Sequence, residues 1–325
     1  MHVQQCVPYG DVWRGVTNRL NYLNADLEFD GVTRGRCMSG PSCKTTNRRE
    51  FLKESAGSVG ALALSGMSVS AAPGANDRIR LGIVGAGSRG GALMGWAHKL
   101  RESHNVEFTA VCDIWDKRRE QAVERVKQWN NGRAPADCRT IAELCDRSDV
   151  DAVLIATADF QHCYHAGHAV LAGKDVYVEK PFGCDFQQVK RAHELISRAA
   201  RVVQMGTQSR GSDKYANAAR FVQSGALGQV TCVEICEPIF QQRWRIPDCE
   251  TSLRASDTNW DEFLCYLPRN MPFNARHYRE FRLFWPFSSG PFCQWMSHRI
   301  DTINQVLGGL PIAAVSMGGV FLWKD

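Results

Sequence analysis

The stretch "RIRLGIVGAGSRGG", residues 78–91, constrains this chain more than any other. A short apolar run at 79–84 leads directly into Gly85-Ala86-Gly87-Ser88-Arg89-Gly90, and a helix-forming segment comes next. Glycines at the first, third and sixth places of a strand–turn–helix suit a dinucleotide. Gly85 permits the tight turn, Gly87 lets backbone approach a pyrophosphate, and Gly90 lets the helix pack close to the strand. Ser88 and Arg89 open that helix, whose N-terminal N–H groups and dipole favour phosphates. Glycine turns are common, so the motif gains weight only from its neighbours in the chain.

That weight comes from a series of strand–helix units. "VEFTAVCDIWDKRR" is an apolar run ending at Asp113. An acid at the end of the second strand accepts hydrogen bonds from adenosine ribose hydroxyls, which favours NAD. Helix capping is its other reading, and Arg118 and Arg119 nearby suit the 2′-phosphate of NADP. A further strand, 152–156, leads to a loop at Thr157 and a helix ending at Leu171. That helix carries His162, His165 and His168. At i, i+3 and i+6 these drift around the cylinder, so no metal site is expected. His162, at the loop–helix junction, is placed to border the cofactor. The alternation continues through "KDVYVEKPFG", "FQQVKRAHELISRAA" and "RVVQMGTQSR". Repeated units of this kind predict an α/β fold with a doubly wound, mostly parallel sheet and ligands at its carboxyl ends. Glu179 and Lys180 sit at such an end.

The 325 residues, 44% hydrophobic and 22% charged, are enough for two folded domains. A net charge of +5 without long basic runs argues against nucleic acid and for a small-molecule partner. The 13 cysteines form no CxxC pair and read mostly as small buried hydrophobes, although export would leave disulfides open. No stretch is long and apolar enough for a confident membrane span.

Three motifs together, the glycine turn at 85–90, "AGKDVYVEKP" at 172–181 and "GTQSR" at 206–210, resemble the Gfo/Idh/MocA oxidoreductases, the glucose–fructose oxidoreductase and inositol dehydrogenase family. The resemblance implies a Rossmann domain at 77–204. It also implies a second α+β domain at 205–325 whose open, mainly antiparallel sheet covers the nicotinamide and mediates homo-oligomerisation. It implies that Lys180 lies beside the substrate hydroxyl and the nicotinamide, after a lysine–proline bond that is often cis. By the same likeness Thr157 and His162 fall in the cofactor loop and Gln208 near the nicotinamide. Ala158 replaces the usual proline. "SSGPFCQWMSHRID" resembles the family helix bearing an Asp and, four residues later, a His. Here His298 and the later Asp301 are present, but Gln294 stands at the Asp position and carries no charge.

The implied chemistry is hydride transfer between NAD or NADP, with NAD favoured, and a sugar or polyol hydroxyl. Lys180 polarises the oxygen, His298 takes the proton, and Gln294 occupies the positioning site. The aromatic and arginine-rich stretch at 257–287 supplies Trp260, Tyr266, Arg276, His277 and Arg282 as substrate candidates, with Asp301 beside them. A packed domain interface is their other reading. Two alternatives stay open: a relative that uses tightly held NAD for transient oxidation while cleaving a glycosidic bond, and a non-catalytic protein that has kept the cofactor fold.

Ahead of the dinucleotide fold, residues 46–76 resemble a twin-arginine export signal. Arg48-Arg49 precede Phe51-Leu52-Lys53, then a mildly apolar core and small residues, with cleavage expected near Ala72. This predicts a periplasmic protein without stable membrane insertion after cleavage. Residues 1–45 read as an unstructured extension, with translation expected to start at Met38. The chain ends in what reads as mid-strand, so an incomplete second domain is expected.

Overall fold

The computed structural model describes residues 77–237, 244–290 and 292–319. The expectations for the extension and the export signal fall on residues outside this set.

Six strands form one parallel sheet: β1 (Ile79–Val84), β2 (Val106–Cys112), β3 (Ala136–Cys138), β4 (Ala152–Ile155), β5 (Asp175–Glu179) and β6 (Val203–Gly206). Their order across the sheet is β3-β2-β1-β4-β5-β6. The order reverses between β1 and β4, which opens a crevice at the carboxyl ends of those two strands. The connecting helices are α1 (Ser88–Lys99), α2 (Asp116–Trp129), α3 (Ile141–Cys145), α4 (His162–Leu171) and α5 (Phe186–Arg198).

Both faces of the sheet are buried, as a parallel sheet requires. Leu81, Ile83, Phe108, Val111 and Leu154 pack on one face against Leu93 and Met94 of α1 and Val126 of α2. Val84, Ala110, Cys112, Val153, Ile155 and Val178 pack on the other against Leu144, Ala166 and Ala169. In β2 the even-numbered Val106 and Phe108 face one cluster, whereas Ala110 and Cys112 face the other. A β-bulge causes the switch. Leu81 pairs with Phe108 but Gly82 pairs with Ala110, leaving Thr109 unpaired, and its hydroxyl donates to the Asp149 carbonyl at 2.7 Å. The sequence pattern missed β3, because three residues at a sheet edge are too few to show a period.

Beyond β6 the described residues hold α6 (Asp213–Gln223), α7 (Trp260–Leu264), α8 (Ala275–Arg279), a π turn (Phe292–Met296) and α9 (Ser297–Leu307). The second sheet expected for 205–325 does not appear among the described residues. Residues 229–237 and 311–319 are without regular structure, and they leave Val233, Ile235, Ile312, Val315 and Met317 exposed. A β-branched run becomes a strand only where a ladder partner takes its N–H and C=O groups. What does pack is an aromatic cluster of Phe263, Leu264, Tyr278 and Phe287 against Trp115, Ala158 and Phe160 from the sheet's carboxyl-end loops.

Candidate functional site

A cavity of about 590 Å³ opens at the β1–β4 switch point. Gly85, Gly87, Ser88, Arg89, Asp113, Thr157, His162, Glu179, Lys180 and Gln208 line it, together with Arg282, Gln294 and His298. Local sequence explains the floor. Gly85 has φ +86°, and a Cβ on Gly90 would stand 1.8 Å from the Gly85 carbonyl oxygen. Neither site accepts a side chain. Gly87 is the N-cap of α1, and no side chain caps that end, so its first-turn N–H groups stand at the cavity for an anion. A bare backbone cradle at a free helix N-terminus in a crevice of this size fits a dinucleotide.

Asp113 ties this cradle to β2. Its carboxylate accepts from the Ala86 N–H at 2.8 Å and the Trp115 N–H at 2.9 Å. Burial pushes its pKa up, opposed by Arg118 and these two N–H bonds. Helix α2 takes Trp115 as its N-cap, so Asp113 is held by the glycine turn rather than spent on capping. The two neighbouring arginines separate in role. Arg119 is buried and paired with Asp116 and Asp137. Arg118 lines the cavity, lying over the Trp115 ring at 4.9 Å and donating to the Tyr278 hydroxyl at 3.3 Å.

The wall after β4 is locked by two histidines. His162 is buried, with Nδ1 2.7 Å from the Pro181 carbonyl oxygen and Nε2 3.2 Å from that of Thr157. It therefore joins the Thr157 loop to the Lys180–Pro181 loop, whose peptide bond is cis. His165 meets the Thr157 hydroxyl at 3.2 Å, and burial, with His162 and His168 nearby, holds its pKa down to about 3. Among the described residues no group of side chains forms a metal cluster.

Glu179 is buried and anchors the next wall. One of its carboxylate oxygens accepts from Arg89 (2.7 Å), Gln208 (3.0 Å) and the Tyr177 hydroxyl (3.2 Å). A Cβ on Gly206 would come within 2.8 Å of both the Gln208 amide and the Tyr177 hydroxyl, so that glycine leaves room for the network.

Lys180 reaches across to the π turn. Its ammonium donates to the Gln294 backbone oxygen at 2.6 Å and its side-chain oxygen at 3.3 Å. Burial lowers its pKa, opposed by Asp159 and Glu179. The Gln294 amide nitrogen donates in turn to Asp159, whose carboxylate also accepts from the Ser288 hydroxyl at 2.7 Å. His298, one turn beyond Gln294, lines the same cavity. Burial, with the Lys180 charge, lowers its pKa, and its Nδ1 has no hydrogen-bond partner among the described residues. Asp301, three residues further along α9, is held by Arg210 at 2.7 Å.

The structure therefore brings the turn residues Gly85, Gly87, Ser88 and Arg89, the strand-end residues Asp113, Glu179 and Lys180, and Gln294 and His298 to one cavity, while Gly90 packs against the Gly85 carbonyl and does not line it. The substrate candidates divide. Arg282 lines the cavity. Trp260 stacks on Phe263 and donates to the Met271 carbonyl, Tyr266 meets Phe160 edge-on, Arg276 pairs with Glu280, and His277 packs on Phe284 and Phe287. These four, and Asp301, do not line the cavity. The aromatic stretch packs as a core, because rings brought together away from water gain more from each other than from a hydrated cleft. Asp159 and Ser288 were missed. The available signal was a charged residue two places after Thr157, in a loop at the carboxyl end of a parallel strand.

Comparisons with known proteins fall on the same part of the chain. The Gfo/Idh/MocA family, described as "Oxidoreductase family, NAD-binding Rossmann fold", matches residues 79–207. A "Glycosyl hydrolase family 109 protein" of Streptomyces coelicolor is 34% identical over 120 residues, 35% of this chain and 24% of that protein. An "Inositol 2-dehydrogenase" of Gluconacetobacter diazotrophicus is 26% identical over 182 residues, 55% of this chain and 50% of that one. The crystal structure of myo-inositol 2-dehydrogenase from Lactobacillus plantarum matches at 25% identity and TM-score 0.41, covering 47% of this chain and 43% of that one. The chain thus spans half or less of the length of these curated relatives. Residues 79–207 form a Rossmann-like NAD-binding fold and, over that span, are similar to the Gfo/Idh/MocA oxidoreductases.

Proposed function

We propose that this chain is an oxidoreductase transferring hydride between a nicotinamide cofactor and a CH–OH group of a sugar or polyol. One observation carries the reading: Lys180 and His298, from segments far apart in sequence, line the one cavity that the glycine turn opens. Gly85, Gly87, the N-terminus of α1 and Asp113 would hold the dinucleotide, and Asp113 at the end of β2 favours NAD. A nicotinamide held there would supply the redox chemistry, as donor or acceptor of hydride. Lys180 points an ammonium at the substrate oxygen and stabilises negative charge as it develops there. His298, kept neutral by its lowered pKa, accepts the hydroxyl proton on a ring nitrogen.

The test is absorbance at 340 nm with NAD or NADP and a panel of sugars and polyols. Lys180→Ala is expected to lower kcat by roughly 100- to 1,000-fold while nucleotide binding persists. Unchanged turnover in that variant would remove Lys180 from the reaction. A second reading is glycoside cleavage through transient oxidation, favoured by the uncharged Gln294 and the glycosyl hydrolase relatives. In that case nitrophenol is released from an aryl glycoside with no net cofactor reduction. We further propose export by the twin-arginine route, read from residues 46–76. Its check is whether the mature mass in a periplasmic extract begins near Pro73.

A further inference from the structure

Gln294 lies between two charged groups and carries none itself. Its side-chain oxygen accepts from the Lys180 ammonium, and its side-chain nitrogen donates to the Asp159 carboxylate. These two bonds define which end of the amide is which. Asp159 is 1% exposed, and Ser288 fixes the same carboxylate oxygen. The peptide around it is held as well. The Ala158 N–H donates to the Gln161 side chain, whose amide donates to the Phe263 carbonyl. The carboxylate is thus built into the cavity wall with its orientation set by three elements.

We propose that Asp159 is the positioning carboxylate of this site, acting on the Lys180 ammonium through the Gln294 amide. A buried anion one amide away makes loss of the Lys180 proton costlier, and the amide fixes where the ammonium points. Of the other charged groups facing Lys180, Glu179 supports its charge, Arg282 and Arg89 oppose it, and His298 stands beside it. Removing Asp159 leaves the two arginines in excess. The link depends on the hydride-transfer reading only for its effect on turnover. The state of Lys180 itself can be read without any substrate.

The experiment uses the full chain, Asp159→Asn, and the swapped pair Asp159→Asn/Gln294→Glu. In the pair, the amide introduced at 159 can donate to the carboxylate introduced at 294, so the bond survives with the charge moved next to Lys180. Trace acetylation with acetic anhydride across a pH series, read by mass spectrometry of the Lys180 peptide, gives the titration midpoint of that amine. Asp159→Asn is expected to lower the midpoint by about one pH unit, and the swapped pair to restore it. Where the chain reduces cofactor, kcat is expected to fall about tenfold with little change in KM, and to recover in the pair. An unmoved Lys180 midpoint in Asp159→Asn, or an equal fall in the swapped pair, would overturn the inference. Absence of turnover in the parent would sink only the hydride-transfer reading, since the labelling arm still decides the role of Asp159.

Discussion

The two halves of the described chain are held by different means. From β1 to β6 every strand has a neighbour close by in the fold, and the core lies on both faces of one sheet. After β6 the chain buries its aromatics against Trp115, Ala158 and Phe160, residues that belong to the first half. The first half therefore carries its own core. The second borrows its core from the loops that also frame the cavity, so packing at this junction and geometry at the site are coupled.

The strongest way to break that comparison is at Phe160. It is fully buried and meets Phe263, Tyr266 and Phe287 edge to face. Phe160→Ala is expected to cost about 3–5 kcal/mol in urea unfolding. If the halves are coupled as described, the loss appears as one cooperative transition shifted to lower urea. Two separate transitions would show that the second half stands alone. Gly90→Ala tests the first half by itself. Its new Cβ would meet the Gly85 carbonyl, with an expected cost of about 1–3 kcal/mol and loss of nucleotide binding by calorimetry. Arg210→Ala probes the tie between the turn after β6 and α9. The Arg210–Asp301 pair is only half-buried, so about 1 kcal/mol in thermal unfolding is expected, with α9 loosened rather than the sheet.

The smallest effect is the shape of a pH profile. His298 has a pKa below its ordinary 6.5, so the neutral imidazole survives to lower pH, and the acidic limb of kcat/KM is expected below 6.5. Lys180 has a pKa below its ordinary 10.5, so its proton leaves earlier, and the alkaline limb is expected below 10.5. Limbs at or above those ordinary values would separate the cavity groups from the reaction.

Strand β1, the glycine turn, β4, β5 and the loop bearing Lys180 were legible because each is written in a few adjacent residues. Hydrophobic runs, glycine positions and a charged strand end are local signals, and backbone sterics convert them into the same turn in any sheet of this kind. The edge strand β3 was too short to read. The switch of faces in β2 was invisible too, because a bulge is set by the partner strand. The second half reads poorly for the same reason. Its aromatic stretch reads both as a sugar surface and as a packed interface, and only the placing of Phe160 and Trp115 against it decides for packing.

The sequence alone determined the dinucleotide crevice and the delivery of Lys180 to it, since both follow from local turn chemistry. Only the tertiary structure decided which charged groups share that crevice. It sent Asp301 to Arg210, left His298 facing the cavity, and placed Gln294 between Lys180 and Asp159, residues more than 100 positions from it. Charge–charge energies depend on distance and burial, and the linear order of residues specifies neither for groups so far apart.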